Sequence, residues 1–100
     1  MSVYLMLTTL TDAGRKAIQE DPEALKGINK EMELMGVKII DQYALLGQYD
    51  FVNIVEAPSN EAIAKLAIRL SARGMYQTLT LAAITIDDLI ETLKEREIPW

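Results

Sequence analysis

The chain has 100 residues, half of them apolar and a quarter charged, a size and mix that predict one globular domain with a single modest core and exclude disorder. Fifteen acidic side chains against ten basic ones leave a net charge of −5, so the average field repels phosphate backbones and nucleic acid is not an expected partner. There is no cysteine and no histidine, which excludes disulfides, thiolate metal sites, cysteine nucleophiles, Ser-His-Asp triads, imidazole bases and haem on a proximal histidine.

Val3 to Thr9 is rich in β-branched and long apolar residues and predicts a first strand, with Leu10-Thr11-Asp12 supplying the cap signal of a helix. Asp21-Pro22 predicts a break between a short helix and a second one, with Asp21 as its cap and Pro22 at its first position. Leu25, Ile28, Met32 and Met35 then recur at spacings of three and four on one face, and Gly36 is the natural stop. Val37 to Leu46 reads as a second strand, Gly47-Gln48-Tyr49 as a turn and Asp50 to Ala57 as a third strand, together a hairpin that Pro58 ends. Ser59 caps a helix with Ile63, Leu66, Ala67 and Leu70 as its apolar stripe, closed by Arg73-Gly74. Met75 to Ile84 is the fourth strand. Thr85-Ile86-Asp87-Asp88 resembles a capping box and opens a short final helix carrying Leu89, Ile90 and Leu93, and the tail Ile98-Pro99-Trp100 is expected to dock.

This order, β-α-β-β-α-β with an added C-terminal helix, predicts an α+β, ferredoxin-like domain spanning residues 1–100, a four-stranded antiparallel sheet with helices on one face. The strands are apolar on both faces. Val3, Leu5 and Leu7 oppose Tyr4 and Met6, while Val52 and Ile54 oppose Phe51 and Val55. The helices cover only one set, so a second subunit is expected on the other, in a homodimer or ring. The N-terminus shows no basic segment ahead of an apolar run, and no stretch approaches 18 apolar residues; a cytoplasmic location and no membrane contact are expected.

Gly47-Gln48-Tyr49-Asp50, followed by Val52, Ile54, Glu56, Ala57 and Pro58, resembles the bacterial and archaeal GYD domain family, with Thr11, Gly14, Pro22, Glu61, Ala64, Gly74, Thr78, Thr80 and Ala83 also falling on its pattern. The chain departs from the pattern where Gln48 separates Gly from Tyr, and where Gln77 and Ala82 replace expected arginines; this counts against a shared anion site on the last strand. The resemblance implies a dimeric α/β barrel type of domain with no established biochemical role.

Candidate ligand-binding residues follow from placement. Tyr49 and Asp50 sit at a turn, where a phenol beside a carboxylate orients ligands or moves protons, although turn geometry alone also accounts for them. Asp50 and Glu56 are roughly 20 Å apart along a strand, too far to pair, but either is in reach of Asp41 or Tyr43 on the neighbouring strand. Tyr76, Thr78 and Thr80 form a small polar stripe suited to lining a cavity in a dimer. Lys65, Arg69 and Arg73 make a basic stripe, read as a solvated face or a dock for an acidic partner. Three functions stay open. The first is an oligomeric module binding a small metabolite near the inter-subunit space without catalysis, as fold analogy suggests. The second is a cofactor-independent monooxygenase or lyase using Tyr43, Tyr49, Asp41 or Asp50. The third is a structural or partner-docking subunit. Neither a metal nor a cofactor is expected.

Overall fold

Thr11, Ser59 and Thr85 each turn a side-chain hydroxyl onto the backbone N–H three residues on, those of Gly14, Ala62 and Asp88, all at 3.1 Å. Each bond satisfies one donor that a helix start leaves orphaned, so three helices begin where the cap signals lie. The computed structural model describes residues 1–95; the tail at Ile98-Pro99-Trp100 lies outside them. The elements are β1 (Ser2–Leu10), α1 (Asp12–Glu20), α2 (Ala24–Leu34), β2 (Lys38–Ala44), β3 (Phe51–Ala57), α3 (Asn60–Ala72), β4 (Tyr76–Ala83) and α4 (Ile86–Lys94).

The strands start and stop within two residues of expectation, but the start of α2 differs in kind. α2 starts at Ala24 with Glu23 at the cap position and no side-chain cap bond, so Asp21 does not cap it and Pro22 lies before its first turn. Backbone bonds from Ala24 N–H to the Asp21 carbonyl and from Leu25 N–H to the Pro22 carbonyl, at 3.0 and 3.3 Å, wind a tight turn into the helix and take over the cap's task.

The four strands form one sheet in the order β2-β3-β1-β4, every neighbouring pair antiparallel. Alternation along β1 and β3 sends Tyr4, Met6, Asn53 and Val55 under the helices, where they join Met32, Val37, Ile63, Leu66 and Leu70 in the core. Fully burying one such large apolar side chain contributes about 1.5–3 kcal/mol, so this side of the sheet holds the subunit together.

A second joint ties the helices to the sheet. Gly14 on α1 packs against the chain entering β4; a Cβ there would stand 2.1 Å from the Met75 carbonyl oxygen. Only glycine permits that approach. Thr11 locks it: its N–H donates to the Met75 carbonyl at 3.0 Å, and its hydroxyl donates to the Gly74 carbonyl at 2.7 Å. Gly74 takes φ of +74°, the left-handed turn that ends α3 and starts β4.

Candidate functional site

The register defines what lies on the face without helices. Tyr43, Val52, Leu7 and Leu79 form one row across all four strands, and Asp41, Ile54, Leu5 and Leu81 the next. Beyond them Glu56 stands opposite Val3 and Lys38, and Val3 opposite Ala83. No described helix covers these rows: Leu79 and Leu81 each remain 45% exposed and Tyr43 57%. An apolar patch running over four strands is larger than the scattered exposed leucines of an ordinary monomer.

A bulge in β2 shapes the edge of this surface. The register shifts between Ile39 and Asp41, so Ile39 faces Val55 on the helix side while Asp41, two residues later, faces Ile54 on the open side. Simple alternation would put both on one face; the extra residue reverses it.

The seven candidate ligand residues do not converge. Asp41 and Tyr43 lie on the open face, opposite Ile54 and Val52. Tyr76, Thr78 and Thr80 pair with Leu10, Thr8 and Met6 and so lie on the helix-covered face. Tyr49 is half-buried in the turn beyond. Neither acid of β3's ends meets Asp41 or Tyr43, because their registers are filled: Glu56 by Val3 and Lys38, Asp50 by the end of β1.

Asp50 is a fastener. Its carboxylate accepts the Leu10 N–H at 2.7 Å, its own N–H donates to the Thr8 carbonyl at 2.8 Å, and its carbonyl accepts the Leu45 N–H at 2.8 Å. Arg15 stands 4.0 Å from the same carboxylate oxygen while donating to the Leu10 carbonyl at 2.9 Å. These bonds stitch the hairpin to β1, and Gly47, at φ of +125°, supplies the turn conformation that brings Asp50 there. One carboxylate oxygen of Asp50 thus serves the fold.

Under the helices the polar groups serve packing. Asn53 is buried and accepts from the Gln42 amide at 2.7 Å, while Gln42 and Asn29 exchange two bonds at 2.8 and 2.9 Å, pinning α2 to β2 and β3. Beside them is a cavity of about 30 Å³ lined by Thr8, Phe51 and Tyr76 among others, room for one or two waters and far below a metabolite's volume. Burial raises the Tyr76 phenol above its ordinary value, with Arg73 lowering it and nearby Glu31 adding to the rise. A groove of about 270 Å³ runs between α3 and β4, lined by Tyr4, Asn60, Ala64, Thr80 and Ala82; the Thr80 hydroxyl is buried there with no partner among the described residues.

On the outer side of α3, Lys65, Ile68 and Arg69 are exposed, Ile68 by 70%, whereas Arg73 is tied to Glu31 of α2. Sequence reading gave α4 no role, yet none of its residues is buried, and Ile86, Leu89, Ile90 and Leu93 are 41–75% exposed. The signal for it was present: an amphipathic helix following a sheet already complete.

The molecule is therefore a ferredoxin-like α+β domain with one sheet face left uncovered by the described residues. A model of the GYD domain matches residues 4–93, and the chain belongs to that family. It is similar to a Thermus thermophilus protein described as "Glutamine synthetase and cystathionine beta-lyase binding protein", 44% identical over 95 residues that span 94% of this chain and 100% of the relative. No solved structure matches the chain. No described helix is long and apolar enough to cross a membrane.

Proposed function

We propose that this chain is a non-catalytic docking module whose copies close their open sheet faces on one another, as a homodimer or ring, and then hold a partner protein on the helical side. The observation that carries the reading is the uncovered apolar face. Leaving each large side chain in water forfeits roughly 1.5–3 kcal/mol of available burial, and a second copy supplies a face of the same size and character. The similar Thermus thermophilus protein, described as binding glutamine synthetase and cystathionine beta-lyase, supports an enzyme as the partner and a cytoplasmic setting for the encounter. With the sheet faces closed, the exposed stripe of Lys65, Ile68 and Arg69 on α3 stays available, two cations with an apolar side chain beside them, suited to an acidic surface.

Co-elution of the purified chain with glutamine synthetase and with cystathionine beta-lyase from its own source tests this. Binding is expected to weaken in the Lys65→Glu/Arg69→Glu variant, and no co-elution with either enzyme counts against the reading. A second reading, a small metabolite held near the inter-subunit space, is favoured by Asp41 and Tyr43, polar groups set in the open face. It requires a thermal shift with some member of a broad metabolite panel, and a flat response across the panel counts against it.

A further inference from the structure

α4 carries the parts of a self-starting helix. Thr85 caps it, Asp87 and Asp88 sit in its first turn against the positive end of the helix dipole, and Lys94 in its last turn lies 3.8 Å from Glu91. Nine residues are nonetheless too few to stay helical in water by such local terms, because isolated helices shorter than about 12 residues are marginal and depend on burying an apolar face. That face, Ile86, Leu89, Ile90 and Leu93, is not buried by any described part of the chain. Nor does α4 fold back over its own open sheet, since Leu79 and Leu81 remain 45% exposed.

The place from which α4 leaves the domain decides between occupants. The outward residues of β4, Leu79, Leu81 and Ala83, run along the open face, and the chain passes from them through exposed Ile84 directly into α4. α4 therefore starts at the rim of the surface that a second copy covers. Size points the same way. Four strands spaced by about 4.8 Å, with about seven residues each at 3.4 Å, give a flat footprint of roughly 450 Å², the scale of a small interface. The apolar stripe of α4 is the adjoining surface able to enlarge it.

We infer that α4 is an exchanged arm: in the dimer its Ile86, Leu89, Ile90 and Leu93 stripe packs on the second copy, clasping the sheet-to-sheet interface from its rim. The inference rests on the proposed closure of the sheet faces by a second copy, and it adds that the interface is incomplete without the arm.

The test is isotope-filtered NMR on the full chain, mixing copies with labelled methyl groups and unlabelled copies, so that only contacts between subunits are recorded. The arm predicts intermolecular contacts from the Leu89, Ile90 and Leu93 methyls together with those from Leu5, Ile54 and Leu81. Intermolecular contacts from the sheet-face methyls alone overturn the arm and leave the dimer standing. None from either set overturns both. As a second measurement, Leu89→Asp/Ile90→Asp is expected to raise the dimer dissociation constant more than tenfold with the subunit fold intact by circular dichroism, and an unchanged constant overturns the arm.

Discussion

Leu5 and Met6 are neighbours in the chain and lie on opposite faces of the same central strand, yet they serve different purposes. Met6 is wholly buried under the helices, whereas Leu5 stands between Ile54 and Leu81 on a face that no described helix covers. The contrast extends across the sheet: one side contains the packing and polar bonds that define the subunit, the other a largely apolar surface that the described residues do not bury. A strand apolar on both sides satisfies two layers, and the described residues supply only one of them.

Substitutions at this pair sharpen the contrast most. Met6→Ala is expected to cost about 2–5 kcal/mol of subunit stability, read by urea denaturation, because it opens a cavity in a fully packed core. Leu5→Glu is expected to leave the subunit's circular dichroism unchanged while weakening self-association by about a hundredfold or more, on the order of 3 kcal/mol for an unpaired carboxylate placed in a closing apolar interface. If Leu5→Glu unfolds the subunit, or leaves association untouched, the two faces are not divided as described.

Asp50→Ala tests whether the signature acid is a fastener or a ligand. Removing the acceptor of the buried Leu10 N–H is expected to cost about 1.5–3 kcal/mol in the same denaturation measurement, whereas a ligand role predicts little loss. The smallest effect belongs to Tyr76. Burial raises its folded value above the unfolded value of about 10. Its contribution to stability is therefore present below about pH 10 and is lost as pH rises through the folded value, because the unfolded chain gives up the proton first. Tyr76→Phe is expected to shallow the alkaline fall in stability, measured by denaturation between neutral pH and pH above about 10.

The element order, the two apolar faces and the helix stops were legible because each rests on local chemistry: a hydroxyl before an apolar period, a glycine where φ turns positive, alternation along a strand. The bulge at Ile39/Asp41 was not, since one inserted residue reverses the facing of everything after it and leaves no local mark. The polar stripe of Tyr76, Thr78 and Thr80 was recognised as one face, but which face depended on where α3 packs, a long-range fact. The sequence marks Asp50 as a turn residue; that its carboxylate accepts the N–H of Leu10, 40 residues away in sequence, is visible only in the fold. Asn53 was hidden in an apolar strand, although its parity with Val55 marks it as an inward polar group in need of partners.

The measurement that tests the central claim most directly is multi-angle light scattering of the purified full chain at micromolar concentration. Closure of the open faces predicts a particle of at least twice the 11.2 kDa chain mass, falling toward the single-chain mass in Leu5→Glu. A native chain that scatters as an 11.2 kDa monomer would contradict the account.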